Sequence, residues 1–229
     1  MPRSGIREIF DLARGVQDLV HVEIGEPDFR MPDHIAEAAI QALRDGFTKY
    51  TPNAGIEELR EAISEKLKRE NGIDADPNKE ILVTAGSTEA LSMSVLSTVN
   101  EGDEVVIPDP GYASYEAQAL LAGGVPVPVP LMESDDFRLT VENLEKVVTR
   151  RTRLIMMNYP SNPTGAVLPR EDLNEIADFV THRDLLVLSD EPYERFVYPG
   201  ARHYSIAALP EMLERTITVF SFSKTYAMT

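Results

Sequence analysis

Short aliphatic runs alternate with stretches whose apolar positions recur every three or four residues. From residue 80 the rhythm is regular. Ile81-Leu82-Val83-Thr84, Val105-Val106-Ile107, Val125-Pro126-Val127, Leu154-Ile155-Met156-Met157, Leu185-Leu186-Val187-Leu188 and Ile217-Thr218-Val219-Phe220 predict strands. Most are separated by amphipathic stretches at 88–99, 115–122, 141–148 and 169–182, which predict helices. Thr140 is a fair N-cap, and Pro169 suits a first helical turn. Strand and helix alternating every ~20–30 residues is the pattern of an α/β fold, a mostly parallel sheet with helices on both faces. The prolines within 125–130 mark that run as an edge or irregular strand.

Upstream the pattern is looser. Ser4 can cap a short helix carrying Ile6, Ile9, Phe10 and Ala13, and 19–24 reads as a strand. Asp33 opens a helix with Ile35, Ala38, Ala39, Ala42 and Leu43 on one face, and Gly46 ends it. A second helix with Ile56, Leu59, Ile63 and Leu67 inward stops at Asn71-Gly72. No internal repeat or low-complexity linker interrupts the chain.

Composition narrows the function classes. The 229 residues are 43% hydrophobic, enough for a sizeable core. A formal charge of −16 argues against nucleic acid and anionic membranes as partners. With no cysteine and four scattered histidines, neither disulfides nor a metal site is expected. No leader pattern and no apolar run near 18 residues occur, so a cytoplasmic protein is the expectation.

The unusual residues fall just past predicted strand ends, and in a parallel sheet those ends share one rim. Ala85-Gly86-Ser87-Thr88-Glu89 offers a flexible backbone, two hydroxyls and a helix start, a phosphate cradle as well as an ordinary N-cap. In Asp109-Pro110-Gly111-Tyr112, the Tyr112 ring can cover a flat heteroaromatic ligand or simply pack at a helix start. Asn158 to Gly165 holds two prolines and two asparagines, a restricted loop in which Asn162 can present an amide to an oxygen. Ser189-Asp190-Glu191-Pro192-Tyr193 places a carboxylate at the mouth of a buried strand, where a protonated ring nitrogen would satisfy Asp190. Ser221-Phe222-Ser223-Lys224 ends the series with an amine able to form a Schiff base if its pKa is lowered. Cradle, ring cover, amide, buried acid and amine together are what pyridoxal phosphate needs.

Over essentially its whole length the chain resembles the fold-type I, class I aminotransferases, the aspartate-aminotransferase-like pyridoxal-phosphate enzymes. The most specific pieces are Ser161-Asn162-Pro163-Thr164-Gly165, Asp190-Glu191-Pro192-Tyr193 and Ser221-Phe222-Ser223-Lys224, in family order. The resemblance implies roles for individual residues. Lys224 would be the Schiff-base lysine and proton shuttle, and Asp190 would hold the pyridinium proton. Asn162 and Tyr193 would bond the ring's phenolic oxygen. Gly86, Ser87, Thr88 and Ser221 would bind phosphate, Tyr112 would stack on the ring, and Gly25 would lie near the substrate carboxylate. Tyr50 would reach the phosphate in a neighbouring subunit, which implies a homodimer. It also implies amino-acid and 2-oxo-acid substrates, an amino-terminal arm with part of a small domain at 1–45, and a cofactor-binding large domain, incomplete, at 46–229.

In the family the chain continues past the position of Thr229 with a Gly-x-Arg-x-Gly stretch, an antiparallel strand inserted in the sheet, and a smaller carboxy-terminal domain. None of these lies within the 229 residues, so a piece of a longer protein is one expectation. The resemblance leaves open another reaction on the same scaffold, such as a carbon–sulfur β-lyase, or a cofactor-binding remnant without turnover.

Overall fold

The computed structural model describes residues 9, 12, 13, 16, 18–20 and 25–229. Most of the helix expected from Ser4 and most of the strand expected at 19–24 lie outside the described residues; Ile9, Leu12 and Ala13, which are described, are helical, and Leu19 and Val20 are not in a strand. Five strands form one sheet: β1 (Glu104–Asp109), β2 (Val125–Pro130), β3 (Thr152–Asn158), β4 (Leu186–Asp190) and β5 (Thr216–Val219), in the order β2-β1-β3-β4-β5. Every neighbouring pair is parallel, so all five carboxyl ends share one rim. The proline-rich β2 is an edge strand, where missing N–H groups break no ladder.

Helices cover both faces because alternate strand residues are apolar on both sides. On one face α3 (Ser87–Thr98) and α4 (Ser114–Leu121) bury Leu91, Val95, Tyr115 and Ala119 against Val105, Leu154, Met156, Leu188 and Val219. On the other, α5 (Val141–Val147) and α6 (Arg170–His182) bury Leu144, Leu173, Ile176 and Val180 against Val106, Ile155 and Val187. The expected Thr140 cap is present as a capping box with Asn143.

Before the sheet lie α1 (Asp33–Arg44) and α2 (Glu57–Lys66), the latter extended by one wider turn to Asn71 and stopped by left-handed Gly72. No residue of α1 is buried, whereas Leu67, at the end of α2, joins a small cluster with Ile73 and Ala207 that Phe220 packs against.

One expected strand is absent. Ile81–Thr84 is irregular, and its Val83 N–H bonds the Ala54 carbonyl at 3.0 Å. The run is apolar enough for a strand, but among the described residues no strand pairs with 81–84 to complete a ladder. Gly55 makes the close approach possible: a Cβ there would stand 2.7 Å from Val83, and its φ is +95°.

Candidate active site

The rim gathers residues far apart in sequence. Even-numbered residues at the end of β4 point toward the α3/α4 face, so Asp190 emerges there beside Tyr115. Asp190 is only 5% exposed. Its Oδ2 accepts a hydrogen bond from the Tyr115 hydroxyl at 2.8 Å, while its Oδ1 is buried with no partner among the described residues. Burial pushes the Asp190 carboxyl up to about 6; the Tyr115 hydrogen bond works against this, and the neighbouring Glu191 charge adds to it. The neutral Tyr115 phenol satisfies one oxygen only.

Asn158, the last residue of β3, ties two loops together. Its Nδ2 donates to the Asp190 carbonyl at 2.7 Å, and its Oδ1 accepts from the Asn162 N–H at 2.7 Å. Asn162 is thereby fixed beside the strand end that carries Asp190. Tyr193 lies in the same neighbourhood. Burial raises its phenol, the Asp190 and Tyr112 charges add to the rise, and the Asn162 side chain opposes it. The Tyr112 ring meets Tyr115 edge-to-face at 5.5 Å.

Two clasps hold the turn that carries Tyr193. Glu191 lies on the opposite face of the sheet from Asp190. It accepts from Ser189 Oγ at 2.6 Å and Ser205 Oγ at 2.9 Å, and its other oxygen lies 2.9 Å from His203 Nε2. Glu194 is bonded by Lys66 and by Asn71 Nδ2. Lys66 also sits over the Phe220 ring, at 4.5 Å from its centroid.

Lys224 lies on a four-residue helix, α7 (Phe222–Thr225), capped by Ser221 Oγ, which accepts from the Ser223 N–H at 3.1 Å. Its Nζ stands 5.8 Å from the Tyr193 ring centroid and donates to the Gly25 carbonyl at 2.5 Å. Amine, phenol, amide, acid and Gly25 therefore form one connected group.

The remaining candidates are not joined to it directly. Gly86 precedes α3 with φ +83°, and the space where a Cβ would stand is open. Ser87, half-buried, and Thr88, exposed, open α3, whose first N–H groups lack intrahelical partners, and α3 packs on β4 and β5. No hydrogen bond links Gly86, Ser87, Thr88 or Ser221 to Asp190 or Lys224 among the described residues. Tyr50 is fully exposed.

A family model described as aminotransferase class I and II matches residues 17–229. The chain belongs to this family. It is 54% identical over 226 residues to an aspartate aminotransferase of Pyrococcus abyssi, a match covering 99% of this chain and 58% of that protein. An aromatic-amino-acid aminotransferase 2 of Thermococcus litoralis is 53% identical, with the same coverage. Among solved structures, an aromatic aminotransferase from Pyrococcus horikoshii superposes with a TM-score of 0.91 at 54% identity, covering 98% of this chain and 60% of that one. An aspartate aminotransferase from Thermus thermophilus with maleate superposes at 0.93 and 40% identity, covering 100% and 60%. The chain thus spans about three fifths of these aminotransferases.

Three contributors to the aminotransferase rim escaped the reading of the sequence: Tyr115, Asn158 and Glu191. Tyr115 follows Tyr112 by three residues, one helical turn, so both can reach the same space. The adjacent acids Asp190-Glu191 close an aliphatic strand, and alternation puts one on each face.

Proposed function

We infer that the chain carries the cofactor-binding site of a pyridoxal-phosphate-dependent aminotransferase, which moves an amino group from an amino acid to a 2-oxo acid in two half-reactions. One observation carries the reading. The rim presents a buried carboxylate oxygen with no partner, Asp190 Oδ1, in one connected group with Tyr193, Asn162 and the Lys224 amine. A protonated pyridine nitrogen supplies the donor that this oxygen lacks, so the residues fit the cofactor.

When bound, the cofactor supplies an aldehyde for amines and a ring that accepts an electron pair. The protein's residues do the rest. Lys224 Nζ would be the amine that holds the cofactor and the base that moves the substrate's α-proton. Asp190 Oδ1 would keep the ring nitrogen protonated. Tyr193 and the Asn162 amide would hold the phenolic oxygen, and Tyr112 would cover the ring. Gly86, Ser87, Thr88 and Ser221 bind the phosphate, where free N–H groups and the positive helix end favour an anion. Gly25, already within reach of Lys224, lies near the substrate carboxylate. Tyr50, wholly exposed in one chain, reaches the phosphate of a second copy in a homodimer.

Residues 1–45 belong to an arm and part of a small domain, and 46–229 to the large cofactor-binding domain. No described helix is long and apolar enough to cross a membrane, in keeping with a cytoplasmic setting. The aspartate and aromatic relatives are equally similar, 54% and 53%, so both acidic and aromatic amino donors belong in the first screen, with 2-oxoglutarate as acceptor.

The test is covalent. The chain is mixed with pyridoxal phosphate, reduced with borohydride and digested. A pyridoxyl label on the Lys224 peptide is the expected result. Label spread over surface lysines, with none on Lys224, would overturn the reading.

A further inference from the structure

Asp190 sits between two groups that act on it with opposite sign. Tyr115 is 1% exposed, and its hydroxyl donates to Oδ2. A donor to a carboxylate stabilises the charged form. It also occupies one oxygen and fixes the plane of the group, which leaves Oδ1 as the only free acceptor. Glu191, the next residue, is 1% exposed on the other face of the strand. Two serine hydroxyls donate to its Oε1, and the His203 ring lies 2.9 Å from its Oε2. A fixed negative charge one residue away disfavours a second on Asp190. The Tyr193 phenol, raised above its ordinary value by burial, also faces Asp190, and the Lys224 amine lies 5.8 Å from the Tyr193 ring.

We propose that Tyr115 and Glu191 are opposed positioning residues that set the proton affinity of Asp190: Tyr115 turns it and holds it charged, while Glu191 raises its affinity from the far side of the sheet. The balance serves a partner that carries its own proton. An acid too weakly basic would not hold a pyridinium proton, and one too basic would be protonated before the ring arrived. The ring nitrogen as partner rests on the function proposed above; the effect on Asp190 does not.

The two arms make opposite forecasts. Tyr115→Phe keeps the ring and removes only the hydroxyl, so the Asp190 midpoint should rise by about one pH unit. Glu191→Gln keeps the acceptor for both serines and removes the charge, so the midpoint should fall by about half a unit. The measurement is a titration of the cofactor-free chain labelled with carboxyl-13C aspartate, the Asp190 signal being the one missing from Asp190→Asn. The acid limb of pyridoxal-phosphate binding, followed by absorbance from pH 5 to 9, should shift the same way in each variant. A purely structural role would weaken binding in both variants without separating the midpoints. If both midpoints move in one direction, or neither moves, the proposal is wrong. Should Glu191→Gln fail to fold, Ser205→Ala, which removes one donor from Glu191, should lower the midpoint by a smaller amount. Opposite shifts in a chain that binds no pyridoxal phosphate would uphold the positioning roles and sink the proposed function.

Discussion

Two buried carboxylates stand at opposite rims of the same sheet. Glu104 opens β1 and is 3% exposed; Asp190 closes β4 and is 5% exposed. Burial alone would push both toward the neutral form. At Glu104 the opposite happens. Thr149 and Thr152 donate to Oε2, Arg151 lies 2.6 Å from Oε1, and the carboxyl is held below its ordinary range, chiefly by Thr149. At Asp190 a single phenol donates, one oxygen stays empty, and burial prevails. The lesson is that saturation of the acid's oxygens, rather than depth, separates a structural carboxylate from a reactive one. A fully satisfied rim stabilises the fold, and a buried oxygen left without a donor costs stability.

The contrast breaks most sharply at the amine. Lys224→Ala should lose the borohydride-fixed label entirely, whereas Glu104→Gln should keep it at wild-type stoichiometry. A label lost in Glu104→Gln despite a folded chain would mean that the two rims are not independent.

The next effect concerns stability and has the opposite sign at each rim. Asp190 binds its proton more tightly in the folded chain than in the unfolded one, so its ionisation destabilises the fold as pH rises from about 4 through about 6. Asp190→Asn should therefore stabilise the cofactor-free chain by up to about 3 kcal/mol above pH 7. The gain should vanish near pH 4, as read by urea unfolding at both values. An equal gain at both pH values would assign it to packing instead.

Glu104 has the reverse linkage. Its folded pKa is depressed, so its contribution is present above the ordinary carboxylate range and is lost as pH falls through the folded value. Glu104→Gln should lower stability at pH 7 by roughly 2 kcal/mol, less in acid, because Arg151 and two hydroxyls lose a charged acceptor. No loss at pH 7 would make this rim as dispensable as an exposed ion pair. The smallest effect should come from Thr149→Ala. It removes one of three donors, costs about 1 kcal/mol at pH 7 in the same unfolding measurement, and leaves cofactor binding unchanged.

How much of this could be read in advance differed between backbone and site. β3 and β4 were legible because continuous aliphatic runs bounded by polar turns have few other solutions. Helix ends were legible where local chemistry writes them, as at Thr140 and Asn71-Gly72. Ile81–Thr84 was misread because strand identity belongs to a pair: the same residues without a neighbour make no ladder. Lys224, Asp190, Asn162 and Tyr193 were picked out by residue type and position after strands. Their supports, Tyr115, Asn158 and the donors around Glu191, were not, since each acts only through a contact dozens of residues away or across the sheet.

The amino-acid order by itself determined the alternation of strands and helices, the parallel α/β class and the loops rich in glycine, proline and asparagine at the strand ends, because spacing and turn chemistry are local. The tertiary structure alone decided which oxygen of Asp190 is taken and which is free, that its partner is a phenol, and that 81–84 stays out of the sheet. Hydrogen bonding and desolvation depend on which distant groups arrive at the same place, and no local pattern contains that.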